Sequence, residues 1–286
     1  MLIKLSGKLI HVSSFRFFLI ALLTFFGSQS FGQILIGPVV GVHSSWPVFK
    51  DKEIKEFIKP QPFVGYNVGA SLSFRVQKKF FLQTSIMYTR KGKDLDGIKD
   101  DLDFSNKSKY NYLEMPILYT IEFKGKLGKK GNKEFKWYLG GGPTVSYWMG
   151  GKGVLKDGDL VESNVSSLPY KITFNQESAD VKKGEMNVDD GNRIQLALNL
   201  SAGLILEPVG FNKIMIAMRY EFGHSYLSRT TDGYFGGYDN ELFYEDELQV
   251  RMQTLNLSLH YFIDLKTDQR KKGKSTIKTK KGKLRR

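Results

Sequence analysis

Apolar and polar residues alternate one for one along much of this chain. From 193 to 206, Ile194, Leu196, Leu198, Leu200, Ala202, Leu204 and Leu206 alternate with Arg193, Gln195, Ala197, Asn199, Ser201, Gly203 and Ile205. A helix repeats its apolar face every three or four residues, so a period of two predicts a strand. Segments 34–45, 62–76, 80–91, 110–123, 135–148, 213–227 and 247–263 read the same way and bring the number of strands to eight. In the last segment Leu248, Val250 and Met252 are even, whereas Leu255, Leu257, Leu259 and Tyr261 are odd. That slip predicts a bulge near Gln253–Thr254.

The connections alternate in length. Short ones lie near 77–79, 124–134 and 207–212, and long ones cover 46–61, 92–109, 149–192 and 228–246. This layout predicts an all-β protein: an eight-stranded antiparallel up-and-down transmembrane β-barrel with long extracellular loops. The short turns and both termini then face the periplasm. A soluble barrel of equal strand number is the competing reading, because alternation does not say which face points outward. Side-chain bulk favours the membrane. The Leu, Ile, Met and Tyr set overfills an eight-stranded interior, whereas the Gly, Ser, Asn and Thr set fits one. Phe80, Phe81, Tyr88, Tyr110, Tyr112, Phe135, Trp137, Tyr147, Trp148, Tyr220, Tyr226, Tyr261 and Phe262 crowd the strand ends, where interfacial girdles are expected. After residue 33 no run approaches the roughly 18 apolar residues that a helical span needs.

Composition changes the picture once the charge is located. The 286 residues carry a net +14 and no Cys, which excludes disulfides, thiolate metal sites and a lipid-modified N-terminal Cys. Residues 1–32 hold three of those charges (Lys4, Lys8, Arg16), then the apolar run Phe17–Phe26, then small and polar residues to Gly32. That order predicts a secretory signal peptide cleaved before Gln33. Residues 264–286 hold nine more as a net excess, without apolar periodicity, and predict a disordered basic periplasmic tail. Only +2 is left for the domain 33–263, so a basic nucleic-acid-binding face loses its support and no nucleic-acid partner is expected. The tail is expected to touch anionic lipid headgroups or an acidic periplasmic partner, or simply to solubilise.

Candidate chemistry is sparse. Arg75, Glu114, Glu122, Arg193, Arg219, Glu221 and His260, with Asn67 and Asn199, fall on the polar face. Buried charges need partners, so they are expected to form an ion-pair network that closes the lumen, with Glu114 and Arg219 central. His43 and Ser45 share a face, and His224 and Ser225 are neighbours, but neither pair has an orienting carboxylate in view. No catalytic residue, metal or cofactor is therefore expected. The acidic stretch Asp94, Asp96, Asp100, Asp101 and Asp103 lacks EF-hand spacing and reads as a solvated loop, with a weak Ca²⁺ site as the alternative. Tyr234, Phe235, Tyr238, Phe243 and Tyr244 form an aromatic loop that either docks a partner or folds over the barrel mouth.

The stretch Tyr112-Leu-Glu-Met-Pro-Ile-Leu-Tyr119 resembles the signature of the PorT-like outer-membrane β-barrel proteins of Bacteroidetes. Tyr138-Leu-Gly-Gly-Gly-Pro-Thr144 and Arg219-Tyr220 are similar to further family features. The resemblance implies an outer-membrane barrel contacting outer-membrane lipid, doing structural or recognition work or serving as an accessory subunit of an envelope or protein-secretion complex. A small channel or transporter is the alternative, and an outer-membrane lipid hydrolase comes after it.

Overall fold

A computed structural model describes residues 33–51, 53–98, 104–127, 133–158, 160, 165–177, 180–209, 212–229, 232–236 and 244–265. The expected signal peptide and nearly all of the expected tail lie outside these residues. Eight long strands carry the fold: β1 (Ile34–Phe49), β3 (Phe63–Arg75), β4 (Phe80–Gly97), β5 (Ser105–Leu127), β6 (Lys133–Lys156), β9 (Ile194–Val209), β10 (Asn212–Tyr226) and β12 (Val250–Asp264). Each pairs antiparallel with the next, and β12 pairs back to β1, so the ring is closed. Four short strands lie off this ring: β2 (Ile58–Gln61), β7 (Leu168–Phe174), β8 (Glu185–Val188) and β11 (Gly233–Phe235). No helix among the described residues is long and apolar enough to cross a membrane.

Along most of each long strand the apolar set points outward. Leu198, Leu200, Met218 and Leu257 are more than half exposed, while Asn199, Arg219 and Asn256 between them are buried. Aromatic contacts bracket this band, but Phe81, Tyr110, Tyr112, Trp148 and Phe262 of the expected girdles are buried in the interior, because they fall on the inward phase of their strands. Phe123 stacks on Trp137 at one end, with Phe80 on Tyr119 beside them, and Tyr66–Tyr88 and Trp46–Tyr220 lie toward the other. From Phe80 to Arg90 on β4, about ten steps of ~3.3 Å on a strand tilted by ~40° span roughly 25 Å, the height of a membrane-facing barrel band.

Beyond the second bracket the polarity inverts. The strands continue past the expected limits, but now Leu95, Tyr110, Leu155, Leu248, Val250 and Met252 point inward, while Lys107, Lys109 and Lys152 point outward. The inward set forms a large apolar core with Trp148 and with Tyr170, Ile172, Met186, Val188 and Phe235 from the short strands. Parts of the long connections read as loops from sequence are therefore strand, because they bury a core of their own. The same inversion removes the expected bulge at Gln253–Thr254. β12 keeps one continuous register against β1, and its inward face simply changes from Val250 and Met252 to Thr254 and Asn256. The irregularity lies in β10, between Phe222 and Tyr226. A second one, between Asn111 and Tyr112 in the β5–β6 register, inserts Met149 into β6, with Gly150 at φ 141°.

Above Tyr147, β6 parts from β9, and β7 takes the exposed edge from Gly151 to Leu155. β8 and β11 extend that flap. An uncovered edge there would invite pairing with another chain.

Candidate functional site

The interior has three layers. At the end bearing the short turns, Leu35, Phe81, Tyr138, Ile205, Met215, Ala217 and Phe262 form an apolar floor. At the other end the apolar cap described above closes the mouth. Between them lies a polar layer.

Lys91 is the centre of that layer. Its Nζ lies 2.5 Å from Glu114 Oε1 and 2.5 Å from Glu221 Oε1. Arg219 approaches Glu114 Oε2 at 3.7 Å and Glu221 Oε2 at 3.9 Å, and Thr89 Oγ1 donates to Glu114 Oε2 at 2.9 Å. In the ring order, β4 and β10 stand four strands apart in either direction, so they face each other across the lumen. The contact between Lys91 and Glu221 is thus a tie across the full bore. Two cations and two carboxylates balance, as a desolvated cluster must.

Below this quartet, Asn256 Nδ2 donates to Asn67 Oδ1 at 2.8 Å across β1. Gly41 permits it: a Cβ there would collide with Asn67 Oδ1 and Ser258. His260 lies 2.8 Å from Ser71 Oγ and 3.1 Å from Ser258 Oγ through its two ring nitrogens. Gln83, Ser85, Tyr138, Ser201, Arg219 and His260 help line a cavity of about 20 Å³, room for roughly one water.

The residues expected to form one network separate into groups. Glu114, Arg219 and Glu221 meet in the quartet, and His260 lies below them. Glu122 lies lower still, 3.5 Å from Lys213 at the floor. Arg75 is set over the Phe81 ring at 5.1 Å and makes no ion pair among the described residues. Arg193 does not join a lumen network. Its guanidinium covers the outward Tyr147 ring at 4.8 Å and Phe174 at 4.3 Å, and its Nε donates to Trp148 O at 2.7 Å. The loss of regular alternation just before β9 turns it outward. Lys91, the hub, was absent from the expected set. Segment 80–91 placed it at the strand's last position, next to Gly92 and Lys93, where it read as the start of a loop.

His43 is buried, and neither ring nitrogen has a hydrogen-bond partner among the described residues. Ser45 is held by the backbone of Gly92, its Oγ 3.2 Å from Gly92 O and from Gly92 N. His224 is exposed, and Ser225 Oγ accepts from Leu196 N at 2.9 Å. Asp94 and Asp96 lie on β4 rather than in a loop. Asp94 faces Lys107 at 3.7 Å, and Asp96 accepts from Ser105 at 3.2 Å. Asp100, Asp101 and Asp103 lie outside the described residues, and no cluster among the described residues could hold a metal.

Of the aromatic loop, Phe235 is buried in the cap, with Tyr244 6.2 Å away and Tyr170 5.0 Å away, centroid to centroid. Tyr234 Oη accepts from Asn187 Nδ2 at 2.9 Å. Tyr238 and Phe243 lie outside the described residues. Beside Phe235 and Tyr244 runs a second buried network. Lys93 Nζ reaches Asp246 Oδ1 at 2.7 Å and Glu247 O at 2.9 Å. Asn106 Nδ2 and Tyr244 Oη also donate to Asp246 Oδ1, at 2.8 and 2.9 Å. Tyr170 Oη in turn donates to Asn106 Oδ1 at 2.7 Å. Burial, and then the nearby Asp246 carboxylate, push the Tyr170 and Tyr244 phenols well above their ordinary range, so both remain hydrogen-bond donors.

A closed antiparallel ring with an apolar outer band and a polar, ion-paired interior agrees with a family model described as "Outer membrane protein beta-barrel domain", which matches residues 27–229. The chain belongs to the outer membrane β-barrel family. Membership puts this β-barrel protein among the proteins of the outer membrane. Solved structures similar to this barrel include OprG from Pseudomonas aeruginosa, 12% identical over 82% of this chain and 96% of that one, with a TM-score of 0.43. Neisserial surface protein A is 12% identical over 81% and 97%, with a TM-score of 0.34. Ail, the attachment invasion locus protein of Yersinia pestis, is 13% identical over 80% and 98%, with a TM-score of 0.33. A search of curated proteins returned no match.

Proposed function

We propose that this protein is a membrane-embedded barrel with a closed lumen, whose work is structural or recognition rather than conduction. The observation that carries the reading is the Lys91–Glu221 tie across the bore, between two apolar layers. A solute passing through would have to break a desolvated charge quartet and part both layers. In this reading the cap formed by β2, β7, β8, β11 and the upper strands stands outside the cell, and the short turns and both termini stand in the periplasm.

The cap, packed on an apolar core of its own, supports a role in presenting a surface to other envelope components. The PorT-like signature at 112–119 supports the finer assignment, an accessory subunit beside a protein-export or envelope complex. The basic tail is then a periplasmic contact for anionic headgroups or an acidic partner. Purified full-length protein reconstituted in planar bilayers is expected to give no steady conductance. Sustained open channels would sink the closed-lumen reading in favour of a small channel.

A further inference from the structure

Three lysines on the outward face of the cap stand in direct cross-strand register: Lys109 on β5 opposite Lys152 on β6, and Lys152 opposite Lys171 on β7. All three are exposed, and none makes an ion pair among the described residues. Neighbouring strands lie ~4.8 Å apart, so the row packs like charges side by side, an arrangement that disfavours folding. Its flanks are Gly92 on β4 and Glu185 on β8, the only carboxylate in the row and one that makes no ion pair with Lys171. The row below it on the same face is the upper bracket of the apolar band, where Tyr88 Oη and Arg90 Nε both donate to Asn111 Oδ1. Lys109 is two residues above Asn111, about 5 Å higher on a tilted strand. At the same height on the opposite wall, β10 presents Phe222 and His224, not lysines.

We propose that this lysine ladder binds the phosphate groups of an anionic outer-leaflet glycolipid. The inference rests on the membrane orientation given under Proposed function. That orientation sets the ladder at headgroup height, where a phosphate-bearing lipid bridges the ammonium groups and offsets their repulsion. A soluble polyanion would have no reason to prefer the side of the cap that adjoins the apolar band.

The test uses the full chain in neutral detergent, titrated with lipid A carrying both phosphates and with the dephosphorylated lipid. The variants are K109Q/K152Q/K171Q, the charge-retaining K109R/K152R/K171R, and K78Q at the opposite end of the barrel. Phosphorylated lipid A is expected to bind wild type, the Arg variant and K78Q alike. The Gln variant is expected to bind it on the order of 10–100-fold more weakly, and dephosphorylated lipid is expected to bind all four equally. Unchanged binding by the Gln variant, no preference for phosphate, or equal displacement by a soluble sulfated polysaccharide would each overturn the proposal. Heat-modifiable gel mobility and outer-membrane fractionation of each variant are read in parallel. Their loss in wild type would overturn the membrane reading together with this proposal. Their presence with a negative lipid titration would remove the ladder's role alone.

Discussion

Lys93 Nζ lies 2.7 Å from Asp246 Oδ1, with both side chains fully buried although they are 153 positions apart in the chain. The pair fastens the segment before β12 to the inner face of β4. It lies against the apolar core of the cap, with Asn106 and Tyr244 donating to the same carboxylate oxygen, and an uncompensated charge there cannot be solvated.

Replacing one member of this pair should therefore cost more than replacing both. Lys93→Met is expected to destabilise the protein by about 3–5 kcal/mol, and Lys93→Met with Asp246→Asn, which keeps an oxygen to accept from Asn106 and Tyr244, by distinctly less. Proteolysis of the segment before β12 in native detergent-solubilised protein checks it. Equal cleavage of the single and double variants would refute the idea that the stranded charge is what costs.

The quartet in the lumen gives a parallel expectation. Lys91→Met leaves Glu114 and Glu221 facing Arg219 alone, and should lower stability by about 3–5 kcal/mol. Lys91→Met with Glu221→Met leaves Glu114 and Arg219 as a balanced pair and should recover much of the loss. The temperature of the heat-modification transition reads both.

Gly41 separates Asn67 from Asn256 and must stay small. Gly41→Val is expected to break their hydrogen bond and push β12 from β1, costing about 2–4 kcal/mol through overpacking and two unsatisfied amides. Gly41→Ala should show the same effect more weakly. If both variants melt like wild type, the close approach has no energetic role.

The outward faces of the two halves should respond oppositely to charge. Leu200→Arg, in the apolar band, is expected to cost about 2–4 kcal/mol in a bilayer. Val154→Lys, among the outward lysines of the cap, should change stability by no more than about 0.5 kcal/mol. Urea unfolding into and out of vesicles measures both. A tolerated Leu200→Arg would mean that the band does not face lipid.

Much of the barrel was legible in the sequence because each strand repeats one local rule. Leu255, Leu257 and Leu259 alternate with Asn256, Ser258 and His260, and a period of two has one local structure that satisfies it. The meeting of Glu114 with Arg219 was also within reach, since each is a charge on the polar face of a predicted strand. Lys91 was not, because it falls where the apolar positions change faces and looked like the end of the pattern. Arg193 misled for the same reason at the start of β9.

The sequence by itself determined strand identity, strand number in the ring, and which residues share a face, all of which follow from alternation within a single segment. Tertiary structure alone decided the rest. Whether an apolar residue points outward or into a core depends on its height along the barrel, and the code inverts between Met252 and Leu255 with no break in the backbone. Whether Lys91 is a loop lysine or the hub of the lumen depends on Glu221, 130 residues away on the facing wall. Contacts across a closed ring are set by shear and ring closure, which no local pattern of residues records.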